Sequence, residues 1–268
     1  MSINSKIEWT NSSWNPFRGC TKISPGCVNC YAHTFAERWR GVPGHAYERG
    51  FDPRPVPDHL GDPLRWAKPR TIFVNSMSDL FHEKATDDFI AQVCEVMLAA
   101  DWHTFQVLTK RPERMVRLLK GPLKPAAKAK HILWGVTVEN RKHGVPRIAM
   151  LRSSGARNTF VSIEPLLEDL GEIDLRGISW VIVGGESGPG ARPMDESWVR
   201  TVRRQCRAHD VPFFFKQWGG VHKKLAGRLL DGRSYDELPE IETNPVPPLA
   251  RRREIITRIL GDTPPWTI

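Results

Sequence analysis

Three of the five cysteines in this 268-residue chain fall within eleven positions, in the run Cys20-Thr-Lys-Ile-Ser-Pro-Gly-Cys27-Val-Asn-Cys30-Tyr31. Thiolates are soft ligands, and a C-x-x-C pair places two sulfurs within reach of one metal centre. Gly19, Pro25 and Gly26 allow a tight backbone wrap with amides facing the sulfurs. The number three is informative. A structural zinc site closes with a fourth protein ligand, for which His33 is a candidate. A [4Fe–4S] cluster held by Cys20, Cys27 and Cys30 keeps one iron open. Such an iron chelates S-adenosylmethionine through its amino and carboxylate groups, and one electron then cleaves it. Spacing alone leaves zinc and cluster both open; the cluster is the expectation. Cys94 and Cys206 lie on apolar helical stripes and read as small buried hydrophobes. The odd cysteine count argues against a disulfide framework.

Chemistry of this kind needs a scaffold. Strand candidates are Lys6–Thr10, Thr71–Asn75, Thr104–Thr109, Ile132–Val138, Thr159–Glu164, Trp180–Val183 and Pro212–Lys216. Most are continuous apolar runs, which suit parallel strands buried on both faces. Helical segments lie between them. Thr86 precedes two acids and an apolar face through Leu98. Pro112 opens a second helix, and Asp195 caps a third carrying Trp198, Val199, Val202 and Cys206. Alternating strand and helix predicts an α/β fold, a partial or closed (β/α) barrel over residues 1–218. Residues 219–268 form an irregular C-terminal extension packed on it, with Leu229–Arg233 as a turn between short strands. The proline-rich segment Gly41–Pro69 reads as a long loop or lid.

In such barrels chemistry gathers where strands end. Those ends are polar here. Ser76, Ser78 and Asp79 follow the second candidate and could hold an ammonium group or cap the next segment. Glu139 and Glu164 could meet ribose hydroxyls or the ammonium, and Thr137 is a further cofactor-binding candidate. The two glutamates could instead form ion pairs with Lys110 or Lys216. Lys110 and Lys216 could bind a carboxylate or phosphate, and Tyr31 could shield the cluster or relay a hydrogen atom. Gly184 and Gly185 allow close approach of backbone to a ligand, with Glu186 beside them.

The net charge is +9, and residues 101–160 hold thirteen Lys/Arg against three acids. This excess points to a polyanion such as nucleic acid, reached through the basic segment 110–157. The same charge also suits a solvated face with no partner. No apolar run approaches the ~20 residues of a membrane helix. Met1–Asn4 lacks the charged start of a secretory leader, so a cytoplasmic protein without membrane contact is expected.

Taken together, several stretches resemble one family. They are Trp14-Asn15-Pro16 with Gly19-Cys20, Ser24-Pro25-Gly26-Cys27-Val-Asn-Cys30-Tyr31, Asn75 through Phe81, Leu108 through Pro112, Trp134 through Thr137, Glu164-Pro165-Leu166, Gly184 through Gly188, and Phe215 through Gly219. The sequence resembles phage-associated proteins of unassigned function related to radical SAM enzymes, often found beside a three-Cys-motif partner protein. More distantly it is similar to spore photoproduct lyase. It departs from the usual radical SAM signature, which has three residues between its first two cysteines, where this chain has six. The resemblance implies a partial TIM barrel, a [4Fe–4S] cluster and S-adenosylmethionine, and no particular substrate. The expected function is reductive cleavage of S-adenosylmethionine to act on a nucleic acid or nucleotide. The alternative is a non-catalytic nucleic-acid-binding module with structural zinc or Fe–S, working with a partner protein.

Overall fold

In the computed structural model, which describes residue 5 and residues 7–261 (for residues 223 and 224 the backbone alone), seven strands build one sheet. They are β1 (Ser12–Trp14), β2 (Thr71–Val74), β3 (Thr104–Thr109), β4 (Ile132–Thr137), β5 (Asn158–Ile163), β6 (Trp180–Gly184) and β7 (Phe213–Gln217). Spatial order follows chain order, and every neighbouring pair is parallel. The principal helices are α1 (Tyr31–Glu37), α2 (Asp87–Ala99), α3 (Pro112–Lys120), α4 (Val145–Ser153), α5 (Glu196–Ala208) and α6 (Leu249–Leu260). Among the described residues β1 and β7 do not pair, so the partial form of the expected (β/α) barrel is the one realised.

Strand periodicity sorts the side chains into two cores. One face of the sheet packs Ile72, Val74, Phe105, Val107, Trp134, Val136, Val161, Val183 and Phe215 against the helices. The opposite face stacks Phe73, Leu133, Phe160, Trp180, Ile182 and Phe214 into a plug. Further along the same inward face the residues turn polar: Asn75, Thr137, Ser162, Glu164 and Lys216. A greasy floor below polar strand ends is what positions the site.

Helix signals read from the sequence hold. The Thr86 hydroxyl accepts from the Phe89 amide at 3.2 Å, and Asp195 accepts from the Ser197 amide at 2.7 Å. Cys94 and Cys206 are buried.

The first strand differs from expectation. Lys6 and Met1–Asn4 lie outside the described residues. Residues 7–10 form a turn, and the strand is Ser12–Trp14. Ser12 and Ser13 are buried despite their polarity, because Ser12 accepts from Arg70 at 3.1 Å and Trp14 supplies the apolar anchor. Trp9 instead joins the inner plug, 4.7 Å from Phe73.

The 41–69 segment is turn-rich but anchored. Arg54–Pro55 pairs antiparallel with Phe17–Arg18, and a short helix spans Asp62–Arg65. Beyond β7, Leu230 and Tyr235 return to the core, and α6 adds Ile255 and Ile256. Asp231 and Gly232, at φ of 52° and 76°, make the tight turn expected there. Among the described residues, no helix is long and apolar enough to cross a membrane.

Candidate active site

The cysteine loop begins at Gly19, whose φ is +78°. A Cβ there would stand 2.4 Å from the carbonyl oxygens of Phe51 and Asp52, so only glycine passes beneath that segment. Cys20 follows and donates its amide to the Phe51 carbonyl at 3.3 Å. Pro25–Cys27 is one 3₁₀ turn, closed by the Cys27 amide on the Ser24 carbonyl at 2.9 Å. Cys30 is the residue that precedes α1. All three cysteines are half-buried and line one cavity of about 460 Å³ at the C-terminal ends of the strands.

Their surroundings separate the thiols. Burial, then the Asp79 charge, pushes the Cys20 thiol up to about 11, although Arg111 opposes this. Arg111 Nη1 also donates to Cys20 Sγ at 3.4 Å. Burial raises Cys27 as well, but Lys110 and hydrogen bonds from the Ile23 and Ser24 backbone outweigh it and leave this thiol below its usual value. Among the described residues no three His, Cys, Asp or Glu side chains converge on a single ion position. His33 is not on the cavity wall; its ring sits edge-on to Phe51 at 5.6 Å.

The strand-end acids are each held by a cation or by several donors. Asp79 is buried and accepts from Thr109 Oγ1 (2.7 Å), the Phe81 amide (2.9 Å), the Lys110 amide (3.1 Å) and Arg111 (3.1 Å). Asp79 lines the cavity, but these donors already occupy its oxygens, so a ligand ammonium would have to compete with them. Glu139 is fully buried, pairs with Arg147 at 2.6 Å, and does not line the cavity. It lies under the cysteine loop, where a Cβ on Gly26 would approach its side chain to 3.2 Å. Its expected contact with a ligand is therefore replaced by a supporting position. Burial raises its pKa, but the Ser24 hydroxyl and Arg147 outweigh this and hold the carboxyl below its ordinary value.

Glu164 lines the cavity and pairs with Lys216 at 2.9 Å, the ion-pair option weighed from the sequence. Glu186 accepts from Asn29 Nδ2 at 2.9 Å and from Arg192 Nη2 at 2.5 Å. Arg192 also reaches the Pro25 carbonyl at 2.9 Å. Glu186 and Arg192 thus clamp the cysteine loop to the end of β6.

Ser76 exchanges hydrogen bonds with Asn15 (3.2 and 3.3 Å), and Ser78 donates to the Phe17 carbonyl at 2.7 Å. Both still line the cavity, as do Thr137 and Gly185. A Cβ on Gly185 would lie 1.9 Å from the Trp218 carbonyl. Gly184 is outside the lining, where a Cβ would meet Glu164 Oε1 at 2.7 Å. Tyr31, 54% exposed, lines the cavity and donates its hydroxyl to the Ser76 carbonyl at 2.6 Å. The Lys110 side chain lines the cavity with no ion pair among the described residues.

Sequence reasoning missed the two amides. Asn75 is 2% exposed, has φ of +61°, and neither of its side-chain polar atoms has a partner among the described residues. Gln217 donates to the Gly185 carbonyl and the Ser187 hydroxyl, while its Oε1 is buried without a partner. Both line the cavity. An unsatisfied buried amide is costly, which makes both positions candidates for contact with a polar ligand. The available signal was their place at the ends of β2 and β7. Arg111, Arg192 and Asn29 were also missed as partners.

The basic segment also changes meaning. Eight of its thirteen cations (Arg111, Arg114, Arg117, Lys130, Arg141, Arg147, Arg152 and Arg157) pair with acids of the fold. Local charge counting therefore overstates the free charge of that face.

Fold and site define an open, parallel (β/α) half-barrel with a three-cysteine loop over a cavity at its strand ends. The chain belongs to the DUF5131 family, described as proteins of unknown function, whose model matches residues 4–239. Among curated proteins, none matches it. Of solved structures, spore photoproduct lyase complexed with dinucleoside spore photoproduct aligns at a TM-score of 0.45 and 12% identity, over 79% of this chain and 65% of that one. A mutant of that lyase with bound AdoMet and dinucleoside spore photoproduct gives 0.42 and 11%, over 79% and 65%. Another mutant gives 0.44 and 12%, over 97% and 77%.

Proposed function

We propose that this protein is an iron–sulfur enzyme that reductively cleaves S-adenosylmethionine to act on a nucleic acid or nucleotide. The observation that carries the reading is the set of three half-buried thiols on the wall of one cavity at the strand ends. The residues fit the group: the donors are three thiols, soft ligands once deprotonated, and the same cavity contains the unpartnered amide of Asn75. Cys20, Cys27 and Cys30 would hold a [4Fe–4S] cluster, whose chemistry when bound would be one-electron reduction of S-adenosylmethionine.

The remaining work belongs to this chain's own side chains. Glu186, Arg192 and Asn29 fix the cysteine loop against the sheet. Arg111 holds Cys20 and Asp79 together. Asn75 and Gln217 offer amide groups to a polar ligand, with Ser76, Ser78 and Thr137 alongside. Lys110 meets a carboxylate or phosphate. Lys216 orients Glu164 across the mouth, and Tyr31 shields the entrance.

The test is anaerobic reconstitution with iron and sulfide, followed by reduction in the presence of S-adenosylmethionine. Broad visible absorbance, about four irons per chain and release of 5′-deoxyadenosine are expected. A fully loaded protein that releases none would sink the enzyme reading. A colourless protein with one zinc per chain would replace it with a structural-metal module, in which loss of a cysteine unfolds the chain.

A further inference from the structure

The cysteine loop and α1 display an aromatic face that the site described above does not use. Tyr31 and Phe35 lie four residues apart on α1, about 6 Å of helix rise, and Trp39 follows in the turn just past the helix end; the three are 54%, 44% and 37% exposed. A free apolar stripe on a short helix says little by itself. This one is held in place. Trp39 stacks on His45 with centroids 4.1 Å apart and planes 20° apart, and Phe35 stands edge-on to Tyr47 at 5.7 Å. Each ring thus has one side fixed by the protein and another toward solvent. The strip ends at Tyr31, on the wall of the cavity.

Positive charge adjoins it. The buried Arg18 guanidinium lies 5.3 Å from the centre of the Tyr47 ring and donates to the Ala46 carbonyl at 2.8 Å. Arg54 donates to the same carbonyl at 2.9 Å. Burial, and then the nearby Arg18 and Arg49 charges, pull the Arg54 pKa down, with Asp52 opposing. Asp52 is itself bound to Arg40 at 2.9 Å. None of Arg18, Arg49 and Arg54 forms an ion pair among the described residues. Arg54 thus stands beside two further guanidiniums and the fixed rings, and an anion there would offset the crowded positive charge. Aromatic faces with phosphate-binding cations are the chemistry of single-stranded nucleic acid recognition, because every base has a π face.

We infer that the α1 aromatic face and the Arg18–Arg49–Arg54 cluster bind unpaired nucleic acid, with bases stacked on Phe35 and Trp39 and a phosphate at Arg49 and Arg54, so that one nucleotide reaches the cavity at Tyr31. The inference rests on the nucleic-acid reading of that cavity and moves its recognition surface away from the 110–157 segment.

The test is fluorescence anisotropy of labelled 12-mer DNA and RNA single strands, and of a DNA duplex, with the full chain before and after cluster reconstitution. A single strand should bind more tightly than the duplex. The DNA and RNA arms show which sugar is preferred. Phe35→Ala and Trp39→Ala should each weaken single-strand binding about 5- to 100-fold, the range expected for loss of one base–aromatic stack. Phe35→Leu and Trp39→Phe, which keep bulk, check folding, and Trp39→Phe should recover most of the affinity. Arg49→Ala should reduce the slope of log K against log salt by about 0.7. Equal binding by the alanine variants would overturn the inference. So would loss of binding on Lys120→Ala/Lys124→Ala alone, or a Trp39-dependent dimer that binds no strand. Binding by unreconstituted protein supports the platform whatever the cluster assay returns. A loaded protein that cleaves S-adenosylmethionine yet binds no strand overturns the platform and leaves the enzyme reading in place.

Discussion

Glu139→Gln is the sharpest probe of how the cysteine loop is supported. Glu139 is fully buried, and its Oε2 lies 2.6 Å from Arg147, whose side chain is 8% exposed. The substitution preserves shape and removes one charge, so the Arg147 guanidinium is left in the interior without a counter-ion. Breaking a buried pair in this way costs about 3–5 kcal/mol. Arg147 keeps a hydrogen bond to the Thr137 carbonyl at 2.7 Å, and the new amide oxygen can still accept, so the lower end, about 3 kcal/mol, is expected. For a chain of this size that is a fall in melting temperature of roughly 6–12 °C. The Ser24 hydroxyl also loses a charged acceptor, and Ser24 stands 3.8 Å from Cys27 Sγ. Iron content after reconstitution should therefore fall along with stability. Urea unfolding at neutral pH measures the first quantity and iron analysis the second. The double variant Glu139→Gln/Arg147→Met removes both charges and should recover most of the loss. A single variant within about 1 kcal/mol of the parent, or a double variant no better than the single, would refute the argument.

Other outcomes follow from the same geometry. His103 is buried, donates Nε2–H to the Pro63 carbonyl at 3.0 Å and accepts the Arg70 amide on Nδ1 at 3.1 Å. Burial lowers its pKa to about 4. The unfolded state, with a pKa near ~6.5, takes the proton first, so stability is full above that value and falls with pH down to about 4. Between pH 7.5 and pH 5 the gap between the parent and His103→Gln in urea unfolding should shrink by about 2 kcal/mol; an unchanged gap would count against it. Glu186→Ala releases Asn29 and Arg192 from the loop. With Arg192 discounted for its 35% exposure, a loss on the order of 2 kcal/mol and slower iron retention in a chelator challenge are expected. Cys20→Ser should lower iron per chain, whereas Cys94→Ala should leave it unchanged, because Cys94 lies in the core between helix and sheet. Gly185→Ala forces the Trp218 carbonyl to move and should lower the melting temperature, whereas Gly177→Ala meets no atom within 4 Å and tests only its φ of +72°.

Six of the seven strands were legible, because strands buried on both faces are written as continuous apolar runs such as Val181-Ile182-Val183. The first strand was not. Ser12-Ser13-Trp14 carries no such signal, since two of its three buried residues are serines and Ser12 is held by Arg70 rather than by apolar packing. The apolar-looking Ile7–Trp9 run feeds the inner plug as a turn. In the site, residue type was legible and partnership was not. Asp79 meets Arg111, Glu186 meets Arg192, and Glu164 meets Lys216, at sequence separations of 32, 6 and 52. No periodicity encodes those distances. The same blindness made residues 110–157 look like a free basic surface, although all but one of their paired cations meet acids on other segments, Arg147 alone meeting Glu139 within it.

The pairing changes what the cavity selects. Had the acids at the strand ends been free, the mouth would have been anionic and suited to cations. With Asp79, Glu164 and Glu186 each bound to a cation, their charges largely cancel where a ligand would sit. The open capacity then lies in neutral amides, Asn75 and Gln217, and in the ammonium of Lys110. Beneath them Trp9, Phe73 and Leu108 present an apolar floor. A ligand complementary to this wall has a flat apolar body, amide-like donors and acceptors at its edge, and one anionic group. A nucleobase bearing a phosphate or carboxylate on its ribose side meets all three conditions, whereas a simple cation or an aliphatic chain meets at most one. Asn75→Gly suits the φ of +61° and deletes both unpartnered polar atoms. It should stabilise the empty protein while weakening adenosyl or nucleotide binding, and that opposition of signs separates a binding group from a structural one.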